Sequence, residues 1–436
     1  MTSRRDFLKR SAATVATGII MPSLVAENQL FSRSISANDK IRVGLIGCRG
    51  MGWSNLSDFL INPDVDCIAL CDIDQGILEN RAKELTSIRN VKPQLFGDYR
   101  KMLEMRDIDA VIIGTPDHWH CLQMVDACQA GKDVYVEKPI ANSIAECDAM
   151  VAAATKYNKV VQVGQQQRSG KLWHQMKEYI DTGKLGNIPM VEVWANFNYG
   201  ALSLPVADSR VPDGVNFDMW LGPAPQRTFN QERFHGSWRM FWDYGGGLLT
   251  DWGVHLLDMA LWGMNVKGMP NRVLASGGKF AYPQNAPETF DTLSVIYEFD
   301  NFIIKWNNVA GTETGPYNRN YGVAFKGTNG TLIANREGWE VIPEGNRLEV
   351  MKASPDHQDH KDHVSNFINC MKNRDFNTAC TIENGSLCAK YAHLGNISAR
   401  VSSPLKYDNA KKRFDNKDAN KLIYPEYRKP WKFPSL

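Results

Sequence analysis

No CxxC pair occurs among the nine cysteines, no internal repeat or low-complexity linker is visible, and no apolar run is long enough to serve as a permanent bilayer anchor. Charge of one sign is missing too: 50 Lys and Arg against 48 Asp and Glu leave a formal net charge of +2. These absences argue against a disulfide framework, a cysteine-held metal, a nucleic-acid surface and a disordered acidic or basic tail. What remains is ordinary globular material, 43% hydrophobic and 22% charged, whose expected partner is a small molecule. Cys67 and Cys71 fall in strand-like apolar runs and read as buried thiols. At 436 residues the chain exceeds what one core usually serves, so two domains are expected.

The N-terminal stretch stands apart. Ser3-Arg4-Arg5-Asp6-Phe7-Leu8-Lys9, followed by a modest apolar run from Ala12 to Ala26, resembles a twin-arginine export signal. Cleavage after Ala26 or near Ala37 are both open, and no cysteine follows the run to carry a lipid. Such a signal implies periplasmic delivery of a folded protein whose cofactor was inserted beforehand and must be recycled in place. The expected organisation is a signal over 1–37, a nucleotide domain over 38–163, a second domain over 164–400 and a tail over 401–436 that packs on the surface.

From Ile41 onward, short β-branched runs alternate with helical stretches: Ile41 to Ile46, Cys67 to Leu70, Ala110 to Ile113, Val134 to Val136 and Val160 to Val163. Runs without period-two alternation are what strands covered on both faces look like, so a doubly wound parallel sheet is expected. Gln75 to Leu85 and Cys121 to Ala130 supply crossover helices. After Gly164, alternating stretches at Met190 to Phe197, Thr292 to Phe299 and Phe302 to Trp306, the last two joined by Asp300-Asn301, predict a second α+β domain with a large, mostly antiparallel open sheet. One long helix is expected over Leu248 to Trp262.

Gly47-Cys48-Arg49-Gly50-Met51-Gly52 follows the first strand directly. Glycines there let the backbone approach a pyrophosphate, which the amides of the next helix would meet. Arg49 stands where the second glycine of GxGxxG is usual, so either the loop is shifted or Arg49 itself contacts phosphate. Asp72, at the end of the second strand and about twenty positions beyond Gly52, is placed to accept from ribose hydroxyls and to repel a 2′-phosphate, favouring NAD over NADP.

Two more segments, Gly114-Thr115-Pro116-Asp117-His118-Trp119-His120 and Glu137-Lys138-Pro139, complete a resemblance to the Gfo/Idh/MocA oxidoreductases, the glucose-fructose oxidoreductase and inositol dehydrogenase type, over nearly all of residues 41–400. The resemblance implies that Thr115, Pro116, His120, Glu137 and Lys138 line the nicotinamide and that Lys138 contacts the reacting hydroxyl. Independently, a lysine at the carboxyl end of a parallel strand points into the ligand crevice of an open α/β sheet. In Asp243-Tyr244-Gly245-Gly246-Gly247 through Asp258, Asp251 and His255 are one helical turn apart. By the same resemblance His255 is the general base and Asp251 binds substrate. That spacing also suits a metal, but nicotinamide hydride transfer needs none, and a buried structural histidine is the plain alternative.

Arg168 is either a ligand contact or a structural ion pair. Trp238, Arg239 and Tyr244, with Trp242, form an aromatic and basic cluster suited to sugar faces or to a core. His357, His360 and His363 read as a solvated helix start rather than a metal tract. The expected activity is NAD-dependent oxidation of a secondary hydroxyl, for example C3, of a sugar, glycoside or polyol. The alternatives are a redox-neutral glycosidase resembling NAD-dependent α-N-acetylgalactosaminidases, with Tyr244 as an extra acid or base, and a non-catalytic sensor. A homodimer or homotetramer, without nucleic acid or stable membrane anchor, is expected.

Overall fold

The computed structural model describes residues 40–436; the export signal read at 1–37 lies outside the described residues. Six strands, β1 (Ile41–Ile46), β2 (Val65–Cys71), β3 (Gln94–Phe96), β4 (Ala110–Ile113), β5 (Asp133–Val136) and β6 (Val161–Val163), pair in parallel in the order β3-β2-β1-β4-β5-β6. That order reverses direction between β1 and β4, and ligands of such sheets bind outside the carboxyl ends at the reversal. Most side chains of β1, β4 and β5 are buried because helices cover both faces, which explains their unbroken apolar runs. The strand β3 has no such run: its side chains are exposed or half-buried at the sheet edge, and only its pairing with β2 makes it a strand. The crossover helix Gln75–Arg89 starts where Asp74 caps the amides of Gly76 and Ile77 and stops where Asn90 turns left-handed at φ 53°.

The second sheet comprises β7 (Met190–Ala195), β8 (Arg272–Gly278), β9 (Thr292–Glu298), β10 (Ile303–Val309), β11 (Tyr321–Lys326), β12 (Gly330–Asn335), β13 (Gly338–Pro343) and β14 (Met351–Ala353), in the order β14-β13-β12-β11-β7-β10-β9-β8. Every pair is antiparallel except β7 with β10. One face is closed by the helices Lys171–Asp181, Gly253–Gly263 and Ile382–Arg400 around fully buried Trp173, Trp306, Tyr297 and Tyr391. The fold class therefore agrees with the reading from sequence.

Three details differ from it. The helix expected over Leu248 to Trp262 is two, Gly247–Asp251 and Gly253–Gly263, divided at Trp252. There the His255 amide donates to Trp252 O at 3.1 Å, three residues back rather than four. His357 and His360 are exposed near the start of the helix Asp359–Asn373, as expected, but His363 is buried, its Nε2 facing Val163 O at 2.8 Å and its Nδ1 facing Ser169 Oγ at 2.7 Å. The chain beyond 401 returns to the nucleotide domain: Tyr427 donates to Glu146 at 2.6 Å and Trp431 packs edge-on against Trp119 at 4.8 Å. No helix among the described residues is long and apolar enough to cross a membrane.

Candidate active site

At the carboxyl ends of β1 and β4 three glycines interlock. Gly47 has φ +86°, and a Cβ there would sit 2.8 Å from the Gly114 carbonyl carbon; one on Gly52 would sit 2.0 Å from Gly47 O, and one on Gly114 2.5 Å from Gly52 Cα. The loop therefore passes β4 with no room for side chains and starts the helix Gly50–Phe59 with its amides at the cleft. Arg49 is extended (φ −101°, ψ 172°), a conformation any residue adopts, which is why the departure from the usual glycine spacing is tolerated. Asp72 Oδ2 accepts from Cys48 N at 2.7 Å and its Oδ1 from Asp74 N at 3.0 Å, which fixes the carboxylate at the cleft.

A long excursion after β7 roofs this end. Gln75 N donates to Gly214 O and Asn216 N to Ile73 O, both at 2.9 Å, and His235, held at φ +61°, places Nε2 3.1 Å from Asp74 Oδ2. Trp119 Nε1 and His118 Nε2 both face Trp220 O at 3.0 Å. The partly open cleft holds about 1230 Å³ of space, open solvent included, and is lined by Gly47, Arg49, Gly50, Met51 and Asp72 at one end and by Thr115, Pro116, Asp117, Glu137, Lys138, Trp238 and Arg239 at the other. Met219, Trp220 and His235 also line it. Nothing in local pattern marks these three, because their place depends on where a loop from the second domain lands; the density of aromatics from Phe217 to Tyr244 was the sole hint.

At the inner end charges converge. Lys138 Nζ donates to Asp251 Oδ1 at 2.5 Å and to the Asp251 carbonyl at 3.1 Å, beside the break at Trp252. Arg239 Nε reaches the same Oδ1 at 3.2 Å, and its guanidinium lies 4.2 Å from the centre of the Trp238 ring. Burial would raise the Asp251 carboxyl, but the two cations outweigh it and hold it below the usual range. His255 is buried, with no partner on Nδ1, and like His120 it is not among the residues that line the cleft. Burial first, then the charges of Lys138, Arg336 and His360, hold its imidazole neutral far below its ordinary value. Glu137 turns away from this cluster: Oε1 accepts from Asn55 at 2.8 Å, and the carboxylate fits only because Gly164, where a Cβ would sit 2.5 Å from it, has no side chain.

The remaining residues read from sequence lie elsewhere. His120 does not line the cleft; its Nδ1 faces Pro139 O and its Nε2 Thr115 O, each at 2.8 Å, so it braces the two loops that do. Arg168 is engaged by Asp258 through contacts of 2.7 to 3.0 Å. Tyr244 is fully buried against Trp220 and His118, with its hydroxyl unpartnered. Asp117 was not singled out from sequence, yet it lines the cleft beside Arg239.

An interlocked glycine turn, helix amides and a fixed carboxylate fit a dinucleotide, and comparisons with known proteins agree. Residues 41–165 match the family model described as "Oxidoreductase family, NAD-binding Rossmann fold", and residues 174–433 match its companion, "Oxidoreductase family, C-terminal alpha/beta domain". NAD is accordingly the cofactor of the first domain. The chain is 28% identical over 262 residues to a glycosyl hydrolase family 109 protein of Shewanella sp. MR-4, covering 55% of this chain and 50% of that protein. It is 27% identical over 262 residues, with the same coverage, to an α-N-acetylgalactosaminidase of Shewanella oneidensis. The chain thus spans about half the length of the curated relatives it matches. Among solved structures, the WlbA dehydrogenase of Bordetella pertussis, in complex with NADH and UDP-GlcNAcA, superposes with a TM-score of 0.63 at 21% identity, covering 85% of this chain and 98% of that one. An aldose-aldose oxidoreductase of Caulobacter crescentus, complexed with glycerol, gives 0.63 at 18%, covering 84% and 99%. These likenesses show the fold.

Proposed function

The chain belongs to the Gfo/Idh/MocA oxidoreductases, and from that membership we propose that it oxidises a secondary ring hydroxyl of a glycoside, sugar or polyol with NAD held in the cleft. The observation that carries the proposal is the cluster at the inner end: Lys138 on the cleft wall, fixed by Asp251, with its charge felt by the buried His255. Bound NAD supplies the hydride acceptor. Lys138, presented to the cleft, hydrogen-bonds the reacting hydroxyl and favours its alkoxide. By the family resemblance His255, one helical turn from Asp251, takes the proton. Asp251, kept ionised, holds Lys138 in place, and Trp238 and Trp220 offer apolar surface to a sugar face.

The similarity to glycosyl hydrolase family 109 proteins favours a second reading, transient oxidation at C3 followed by elimination of the aglycone, addition of water and return of the hydride. The roof anchored to Asp74 and Gln75 supports retention of the dinucleotide in either case. Purified protein, once bound NAD is verified by its released spectrum, is given a panel of glycosides while absorbance at the NADH band and released aglycone are followed together. Stoichiometric NADH without aglycone supports the oxidation; aglycone over many turnovers without lasting NADH supports redox-neutral cleavage; neither signal with any sugar overturns both. Export by the twin-arginine route, supported by Arg4 and Arg5, and association through the sheet face opposite the three covering helices, supported by its half-exposed Ile303 and Ile296, complete the proposal. Cell fractionation and light scattering of the purified protein test them.

A further inference from the structure

Buried polar atoms in folded proteins almost always have a partner, and an exception at a ligand cleft calls for an explanation. Asp117, the first residue of the helix Asp117–Gln129, is 3% exposed, lines the cleft, and has a buried Oδ2 with no hydrogen-bond partner. Burial pushes its carboxyl well above the usual range; Arg239 opposes this most, with Lys138 adding to Arg239 while Asp251 and Glu137 work the other way. Two carboxyl groups therefore face two cations, and the hydrogen bonds both cations make here go to one of them. Arg239 and Lys138 bond Asp251, and Asp117 is left with their field and none of their protons.

A group that completes the hydrogen bonding of Asp117 would complete the cluster. A sugar hydroxyl both donates and accepts, so it can partner this carboxyl whichever way its proton lies. The aromatic rings of Trp238 and Trp220 line the same cleft and suit the apolar face of a ring carrying that hydroxyl. Building on the sugar-oxidation reading, we infer that Asp117 hydrogen-bonds a second hydroxyl of the sugar ring, adjacent to the one oxidised, and so selects vicinal diols.

The test uses the full-length, NAD-loaded protein with Asp117→Asn and, should that variant not fold, Asp117→Ser. Glycoside binding is followed by tryptophan fluorescence, and single-turnover NAD reduction is followed for the parent sugar and each monodeoxy analogue. We expect one deoxy analogue, at a carbon next to the reacting one, to lose roughly 10- to 100-fold in binding and in kcat/KM with the unaltered enzyme. Asp117→Asn is expected to lose a similar factor on the parent sugar and almost nothing further on that analogue. Losses that multiply for every analogue, an unchanged Asp117 variant, or a variant purified without its NAD would each overturn the assignment while leaving the sugar reading intact. Absence of NAD reduction by any sugar in the unaltered enzyme would overturn that reading and this assignment together.

Discussion

The two ends of the cleft are built in different ways. At the dinucleotide end the glycines come from two neighbouring strands of one sheet, and what matters is the lack of atoms: Gly47, Gly52 and Gly114 leave no space for a Cβ. At the reacting end Lys138 and Asp251 are 113 positions apart, and what matters is charge brought together and kept from water. The comparison teaches that one end should fail by steric collision and loss of NAD, the other by loss of turnover with NAD still in place.

The sharpest break is Lys138→Met. Removing the cation at the reacting hydroxyl should lower kcat/KM by about 10³-fold or more, with bound NAD near stoichiometric in the released spectrum. Activity within tenfold of the parent would show that Lys138 does not serve the reaction. Next comes His120, set between the two loops of the reacting end. Burial pulls its imidazole down to about 4 from 6.5, so the unfolded chain takes up its proton first as pH falls. The stability His120 contributes is full above pH 6.5 and is lost as pH drops toward 4, up to about 3 kcal/mol for a shift of that size. His120→Gln should therefore lose less stability than the parent over that window in urea melts. Parallel curves would contradict the brace being neutral when folded.

Gly52→Ala tests the steric end. A Cβ 2.0 Å from Gly47 O should cost about 1–3 kcal/mol in thermal melts, and the protein should purify with little NAD. The smallest effect is expected at the roof: His235→Ala removes the contact to Asp74 while the backbone bonds at Gly214 and Asn216 remain, so release of NAD, followed by filter dialysis, should quicken several-fold, on the order of one exposed hydrogen bond. Unchanged release would mean that the backbone contacts alone hold the roof.

Strand runs, the glycine turn and Asp72 were readable in the chain because each works through its own backbone or its immediate neighbours. The fold class follows from the same runs, and so does the family resemblance carried by Thr115-Pro116 and Glu137-Lys138-Pro139. Where side chains have two defensible uses, sequence left both open, and packing chose. Arg168 went to Asp258 and Tyr244 into an aromatic cluster, while Arg239 joined Lys138 on Asp251. His235 and Asp117 were invisible for the opposite reason, since a lone histidine in a loop and an acid at a helix start are common, and only their position over the cleft makes them notable.

By itself, then, the sequence determined two layered domains, an NAD-type turn and the residue types for handling a proton, because periodicity and glycine placement act locally. Tertiary structure alone decided which carboxyl group is ionised, which histidine is neutral, and which loop covers the dinucleotide. Those depend on burial and on charges a few ångströms away in space but a hundred or more residues away along the chain.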